Sequence, residues 1–201
     1  MSEFERWEGR FAQPDYVFGT APNAFLTRNA HRLKPGRRVL CVADGEGRNG
    51  VWLAEQGFDV LAQDFSPAAQ EKARALARER GVELEFELSD LHARDWPEAA
   101  FDGVVGIFFQ FADPAQRARI FDGIKRTLKP GGVLLIEGYG PKQLDYGTGG
   151  PKALENLYTE DLLRDAFADF TELDVTAHDS VVEEGAGHSG MSALVDLVGR
   201  K

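Results

Sequence analysis

The chain has 201 residues, 43% of them hydrophobic and 28% charged, and a formal net charge of -10 at pH 7. That length and apolar content fit one globular domain and exclude a disordered chain. There are 33 acidic residues against 23 lysines and arginines. This excess disfavours nucleic acid as a partner, because its affinity for proteins comes largely from neutralised phosphates. One cysteine allows no internal disulfide and fits a reducing compartment.

The amino-terminal residues do not resemble a targeting signal. Acidic and aromatic side chains stand where a secretory signal would carry basic residues and an apolar run. No stretch of the sequence approaches the roughly 20 apolar residues that span a bilayer. We therefore expect a cytoplasmic protein with no membrane partner, present as a monomer or a weak dimer.

Strand-like and helix-like patterns alternate along most of the chain. Apolar runs predict strands at residues 37–43, 58–63, 83–88, 102–109 and 133–137. Helical patterns lie at residues 49–56, 66–80 and 113–128, and another follows Thr159. Such alternation predicts a parallel sheet that is covered by helices on both faces.

The tail of the chain has a different pattern. Residues 172–182 and 190–198 predict two strands with no helix between them, and therefore an antiparallel pair. We predict one α/β domain, a doubly wound, Rossmann-like sheet of seven mostly parallel strands with one antiparallel strand near the C-terminus. Residues 1–35 would form an amino-terminal lid and helix, 36–140 the cofactor-binding core, and 141–201 a substrate loop, the last helix and the final strand pair.

A glycine-rich loop follows the first predicted strand and reads Asp44-Gly45-Glu46-Gly47-Arg48-Asn49-Gly50. Glycines let the backbone turn tightly and let a ligand approach the amino end of the next helix. Asp64 ends the second strand, where a carboxylate accepts hydrogen bonds from both hydroxyls of a ribose. Together these features predict a cofactor of the adenosine type at the carboxyl edge of the sheet.

Two cofactor classes fit this pattern. Gly45, Gly47 and Gly50 match the G-x-G-x-x-G motif of NAD(P)-binding oxidoreductases, but the chain lacks room for a separate catalytic domain and has no Tyr-x-x-x-Lys pair. Residues 128–134 (LKPGGVL) resemble the helix-to-strand turn of class I methyltransferases. S-adenosylmethionine, with S-adenosylhomocysteine as its product, is the favoured cofactor. An oxidoreductase and a cofactor-binding module without catalysis stay open as alternatives.

Most of the chain resembles the class I S-adenosylmethionine-dependent methyltransferases. The closest likeness is to a small bacterial branch similar to tellurite-resistance and thiopurine methyltransferases. The matching segments are residues 16–23 (YVFGTAPN), 43–49 (ADGEGRN), 64–66 (DFS), 129–132 (KPGG) and 148–152 (TGGPK). Two positions depart from the family pattern, since Cys41 replaces the usual acid of the first strand and Ala43 the first glycine of the loop.

The resemblance implies a set of cofactor-binding residues. They are Tyr16, Asp44, Gly45, Gly47, Asn49, Asp64, Phe65, Ser66, Asp90, Leu91 and Phe108. The two loop glycines would line the methionine moiety, the aspartate at 64 would bind the ribose, and the phenylalanine after it would pack on the adenine. The pair at 90–91, which follows the third strand, would hold the adenine edge, and the backbone at 108 would meet the cofactor. Residues 16–23 would form a lid, and Asp44 or Glu46 would compensate for the missing strand acid.

The expected acceptor is a small molecule or a metalloid oxyanion. Methyl transfer is an in-line displacement from an activated cofactor, so the protein chiefly supplies alignment and a dry site. Residues 107–111 (IFFQF) lack the Asn/Asp-Pro-Pro-aromatic turn of enzymes that methylate adenine or cytosine amino groups, which again disfavours nucleic acid. A protein lysine is the alternative acceptor, because an acidic surface attracts basic partners.

Three side chains are candidates for catalysis. His188 lies in a glycine-rich turn between the last two strands and would serve as a base for an acceptor that needs one. Tyr139 and Tyr146 belong to a long loop after the fifth strand, and such loops are often functional. Local hydrogen bonding of the histidine and packing of the tyrosines explain the same residues equally well. No cluster of cysteine and histidine predicts a metal site.

Overall fold

A computed structural model describes residues 2–34 and 36–201. Its strands are β1 (Arg38–Val42), β2 (Asp59–Asp64), β3 (Glu85–Leu88), β4 (Phe101–Ile107), β5 (Leu128–Tyr139), β6 (Glu172–Glu184) and β7 (His188–Arg200). Its helices are α1 (Glu3–Phe11), α2 (Ala24–Asn29), α3 (Arg48–Glu55), α4 (Pro67–Arg80), α5 (Pro114–Thr127), α6 (Gln143–Tyr146) and α7 (Glu160–Ala166), with short 3-10 helices at Ala30–Arg32 and Leu154–Asn156.

All seven strands form one sheet in the order β3-β2-β1-β4-β5-β7-β6. Strand β7 is antiparallel to both β5 and β6, and the other neighbours are parallel. The predicted fold class is therefore confirmed, including the single antiparallel strand near the C-terminus. The strand order reverses between β1 and β4, and open α/β sheets bind ligands at the carboxyl edge of such a switch point.

Local signals in the sequence account for the two longest helices. Ser66 caps α4 by accepting a hydrogen bond from the Ala69 amide, and Gly81 ends the helix with φ at 67°. Asp113 and Gln116 form a reciprocal capping box at the start of α5. Both helices begin where the sequence predicted them.

The predicted strand bounds differ from the observed ones by one or two residues at most ends, and by five at the start of β5. Strand β3 begins at Glu85 rather than at residue 83. Strand β5 begins at Leu128, because this residue already pairs with Phe101. The KPGG turn forms a bulge between this pair and the next one, Gly103 with Val133. The last two strands are longer than predicted and form a continuous hairpin from Glu172 to Arg200.

Each face of the sheet has its own apolar core. Leu40, Val104 and Leu134 point to the face that α5 and α7 cover, and Val39 and Leu135 point to the face of α2 and α3. This alternation along β1, β4 and β5 is the period of two that a strand imposes. Within the part of the chain that the structure describes, no helix is long and apolar enough to cross a bilayer.

Candidate functional site

The loop after β1 is a tight turn that only glycine fits at its centre. Gly47 has a φ of 90° and precedes the first residue of α3. A Cβ at this position would lie 2.6 Å from the Cβ of Ala73 on α4, closer than two carbon atoms can approach. Gly45, with φ at 59°, faces the ring of Phe11, which would lie 3.6 Å from an added Cβ. Gly47 therefore packs directly on α4, and Gly45 lies beneath the Phe11 ring of α1.

Asp64 ties this loop to the end of β2. Its Oδ2 accepts a hydrogen bond of 2.8 Å from the Gly45 amide, and its Oδ1 accepts one of 2.9 Å from the Ser66 amide. The residue is 4% exposed, and burial raises its pKa to about 6 although these amides favour the charged form. A carboxylate has about four lone-pair positions, so two remain for a ligand.

Asp44 orders the other half of the loop. Both of its carboxylate oxygens accept from the Gly50 amide, at 3.1 and 3.2 Å. Burial, and to a lesser extent the nearby charge of Asp64, raises the pKa of Asp44 to about 7. Cys41 is fully buried in the apolar core, which raises the pKa of its thiol well above the usual value. Asp44 thus ties the loop to the start of α3 through its carboxylate oxygens, whereas Cys41 is a small core residue.

The residues before α2 attach to the loop through Glu46. This side chain is buried, and its Oε2 accepts from the Val17 amide at 2.8 Å while its Oε1 accepts from Lys72 Nζ at 2.7 Å. The Tyr16 hydroxyl donates to the Lys72 carbonyl at 3.1 Å, so the Tyr16 side chain lies against α4. Residues 16–18 consequently lie across the amino end of α4 and next to the loop.

Helix α1 lies over the same edge of the sheet. Ser66 Oγ donates to Glu8 at 2.5 Å, and the ring of Phe4 meets Phe65 edge-on at a centroid distance of 5.7 Å. With Phe11 on Gly45 at its other end, α1 spans the ends of β1 and β2. The sequence predicted a lid and a helix within residues 1–35 and placed the lid at residues 16–23; in the structure, α1 also lies over the crevice.

The predicted adenine end lies after β3. Asp90 is exposed, and its Oδ1 accepts from the His92 amide at 2.9 Å. The Leu91 side chain is 4% exposed and belongs to the apolar core under α5. Beyond β4, Phe108 has a φ of 54°, a left-handed conformation that is uncommon outside glycine and frequent at functional sites.

Two of the three predicted catalytic side chains lie together. The Tyr139 hydroxyl and Nδ1 of His188 are hydrogen-bonded at 2.5 Å, and the two residues are 1% and 7% exposed. The imidazole lies between the rings of Phe18 and Phe108, each with a centroid distance of 4.4 Å. Burial, with the charges of Arg48 and Arg10, lowers the pKa of His188 to about 3, and burial raises the pKa of Tyr139. Both side chains are neutral near pH 7.

The third candidate, Tyr146, lies elsewhere on the loop after β5. It ends the short helix α6, is half-buried, and has Lys142 Nζ at 5.2 Å from its ring centroid. The glycines after it return to the site, since a Cβ at Gly150 would lie 2.7 Å from the Tyr139 ring. The segment 148–152 therefore packs on the tyrosine–histidine pair, whereas Tyr146 does not share that packing.

A buried polar network that the sequence analysis missed joins these parts. Arg48 and Glu184 form an ion pair of 2.7 Å with side chains 7% and 12% exposed. The side-chain Nδ2 of Asn23 donates to Glu184 at 3.1 Å and to Glu137 at 2.6 Å. The backbone amide of Asn23 donates to Asn49 Oδ1 at 2.9 Å. One terminal nitrogen of the Arg48 guanidinium is buried without a partner among the described residues. The signal in the sequence was a single acid, Glu137, at the end of an otherwise apolar strand.

Comparison with known proteins agrees with this geometry. Residues 39–132 match a family described as a methyltransferase domain. A demethylmenaquinone methyltransferase of Renibacterium salmoninarum is 31% identical over 130 residues, which make up 65% of this chain and 50% of that protein. The chain spans about half, or slightly less, of the length of the curated relatives that it matches.

Two solved structures show the same fold. TehB from Haemophilus influenzae superposes with a TM-score of 0.73 at 21% identity, over 91% of this chain and 63% of the other. A SAM-dependent methyltransferase of Methanosarcina mazei gives a TM-score of 0.70 at 21% identity, over 89% of this chain and 98% of the other. The matched family domain includes β1, β2 and β4 and thus the loop and the strand ends that form the crevice. Residues 39–132, slightly less than half of the chain, thus match a methyltransferase domain, and the sheet has the fold of a solved SAM-dependent methyltransferase.

Proposed function

We propose that this chain transfers the methyl group of S-adenosylmethionine to a small, soft acceptor such as a thiol, a selenol or a metalloid oxyanion. The observation that carries the proposal is the neutral His188–Tyr139 pair, buried between aromatic rings beside the family's cofactor crevice. A protein segment or a nucleic acid would need an open surface there. A compact acceptor would need only a small opening.

The residues of the crevice fit the cofactor. The backbone at Gly45 and Gly47 would line the methionine moiety, because neither residue has a side chain that would stand between the loop and a ligand. Asp64 keeps lone pairs free for the two ribose hydroxyls. Phe65 is half-buried after β2 and would pack on the adenine.

The other predicted cofactor residues have different parts in this proposal. Asp90 and the backbone of Leu91 would meet the adenine edge, and the strained backbone of Phe108 would face the sulfur end. The remaining four residues would hold the loop and its neighbours in place rather than contact the cofactor, because their polar groups already bind other protein groups. They are Tyr16, Asp44, Asn49 and Ser66.

The chain's own groups would align the acceptor rather than remove its proton. When bound, S-adenosylmethionine supplies a methyl group on a positive sulfur. A lone pair of the acceptor would attack the methyl carbon in line with the carbon–sulfur bond, and the sulfur would leave as a neutral thioether. An imidazole whose pKa is lowered to about 3 is a weak base near pH 7. We therefore propose that His188 and Tyr139 orient the acceptor by hydrogen bonding and that the rings of Phe18 and Phe108 exclude water. A soft nucleophile reacts under these conditions without a general base.

The first test is a calorimetric titration of the purified chain with S-adenosylhomocysteine, run beside NADH and NADPH. Binding of S-adenosylhomocysteine alone is the expected result. Binding of a nicotinamide cofactor alone would refute the proposed reaction, and binding of none would favour a module without catalysis.

The second test concerns the acceptor. The enzyme and methyl-labelled S-adenosylmethionine are incubated with a cell extract that has been divided by size, with a His188→Ala, Tyr139→Phe double variant as the control. We expect label in the small-molecule fraction, and less of it with the control. Label in macromolecules alone would refute the small acceptor.

A further inference from the structure

Three metal-ligating side chains lie side by side on one face of the sheet. Glu137 on β5 and Asp196 on β7 are register partners, and His178 on β6 pairs with Leu194, two residues from Asp196. The potential ligand atoms of the three residues all lie within 4.8 Å of one another. Nε2 of His178 is 3.2 Å from Asp196 Oδ2.

We propose that Glu137, His178 and Asp196 bind one divalent transition-metal ion, with zinc as the best fit. One imidazole and two carboxylates form a donor set that zinc accepts, and three protein ligands leave a fourth position for water. The imidazole disfavours magnesium and calcium, which prefer oxygen ligands. The proposal does not rest on the proposed methyl transfer, although Glu137 also accepts a hydrogen bond from Asn23 of the buried polar network.

An unsatisfied oxygen supports the proposal. Oδ1 of Asp196 is buried and accepts no hydrogen bond from any donor group among the described residues. Buried carboxylate oxygens in native proteins almost always have a partner. A cation satisfies this oxygen, as would an ordered water or a proton held between Asp196 and Glu137.

The groups around the three side chains are arranged as an outer shell. Nδ1 of His178 is hydrogen-bonded to Ser180 Oγ at 2.9 Å, which leaves Nε2 directed at Asp196. Asn23 Nδ2 donates to Glu137 Oε1 at 2.6 Å, which leaves the second oxygen of Glu137 free. Metal ligands in proteins are usually oriented in this way by a second hydrogen bond.

The charge at the site favours a cation. Two carboxyl groups lie side by side here, since Glu137 is the register partner of Asp196, and Glu137 is 3% exposed. The nearest protein cation to Asp196 is Arg28, at 4.0 Å and with a side chain 60% exposed. A bound ion would neutralise the two carboxyl groups, and the exposed arginine is long enough to move aside. Asp196 and His178 are partly exposed, which gives an ion a path inward.

The experiment uses the full chain without an affinity tag, treated with a chelator and then dialysed at equilibrium against zinc. We expect one zinc ion per chain. Affinity should fall by about tenfold or more in Glu137→Gln, His178→Gln and Asp196→Asn, because loss of outer-shell partners alone costs that much in known sites. Asp174→Asn is the matched control, since Asp174 is an exposed carboxylate on the same face of β6, and it should bind zinc as the wild type does.

A second measurement needs no variant and therefore does not depend on their folding. Cobalt added to the wild-type chain should give the visible absorption of a site with low coordination number, and zinc should abolish it at one equivalent. The proposal is overturned if the wild type binds less than one zinc ion, or if all three variants bind zinc as tightly as it does. In either case the partner of the buried oxygen is a water or a shared proton.

Discussion

Replacement of Asp64 by asparagine tests the proposed cofactor site most directly. The carboxylate is 4% exposed and accepts hydrogen bonds from the amides of Gly45 and Ser66. Asparagine has nearly the same shape but no charge, and its amide nitrogen cannot accept a hydrogen bond. The variant therefore removes one of the two oxygens that are proposed to accept from the ribose hydroxyls. It also removes the negative charge that strengthens the hydrogen bond to the remaining oxygen.

The expected loss in binding follows from the strength of a charged hydrogen bond. Such a bond contributes about 1.5–3 kcal/mol, which corresponds to an affinity lower by roughly 10- to 150-fold. Asp59→Asn is the matched control, because Asp59 is an exposed carboxylate on the same strand, 3.2 Å from Arg38. The control should bind S-adenosylhomocysteine as the wild type does.

The assay is calorimetric titration with S-adenosylhomocysteine and with its 2′-deoxy analogue. The wild type should lose affinity for the analogue, and Asp64→Asn should lose much less, since the two changes remove the same contact. Circular dichroism establishes that the variant is folded. A folded variant that binds S-adenosylhomocysteine within about threefold of the wild type would refute the ribose role, because one charged hydrogen bond is worth about tenfold or more.

The pH dependence of binding gives a second measurement on the same residue. The pKa of Asp64 is raised to about 6, so its contribution to stability is greatest below about pH 4 and falls as the pH rises to about 6. Cofactor binding needs the ionised form and should change in the opposite sense. The affinity for S-adenosylhomocysteine should increase between pH 5 and pH 7, and Asp64→Asn should show a smaller increase over that range.

Three further predictions concern stability. Gly47→Ala should destabilise the fold by about 1–3 kcal/mol from strain and overpacking, and by more than Gly57→Ala, where φ is 83° but nothing lies within 4 Å; urea unfolding compares the two. Arg48→Met should cost about 3–5 kcal/mol, because it leaves the charge of Glu184 buried without a cation, and Glu184→Gln in the same chain should restore most of the loss. The pKa of His188 is lowered to about 3, so its contribution to stability is lost as the pH falls from about 6.5 towards 3; an unchanged acid-unfolding curve for His188→Gln would contradict this.

The fold could be predicted because its signals are local. The apolar runs of β1 and β4, the cap of α4 and the missing helix between β6 and β7 are each visible within about fifteen residues. The order of parallel strands then follows from a small set of allowed connections. The same holds for the loop after β1, where glycine spacing and the acid at the end of β2 are read from the sequence alone.

The surroundings of the site could not be predicted, because they depend on contacts between distant residues. Glu184 meets Arg48 and Asn23 across more than 130 residues of chain. His188 is in a turn by sequence, yet it is 7% exposed because Phe18 and Phe108 cover its two faces. No local pattern indicates such burial, and burial is what makes the imidazole a weak base. The proposed ligands Glu137, His178 and Asp196 likewise lack the short spacing by which metal motifs are recognised.

The two acids of the glycine loop lead to a last prediction about ligand charge. Burial is the main reason that the pKa values of Asp44 and Asp64 are raised, to about 7 and 6, and the two charges also repel each other. Without a cation, the carboxyl groups of the loop therefore hold protons near pH 6.5.

A ligand with a positive sulfur stabilises both ionised carboxylates. Binding of such a ligand therefore releases more protons than binding of the neutral thioether does. Calorimetry at pH 6.5 in two buffers of different ionisation enthalpy measures this release. It should be larger for S-adenosylmethionine than for S-adenosylhomocysteine, and in Asp44→Asn the difference should shrink. Equal release from the wild type by the two ligands would mean that the sulfur lies beyond the reach of both charges, and the methionine end would then have to be assigned to another part of the crevice.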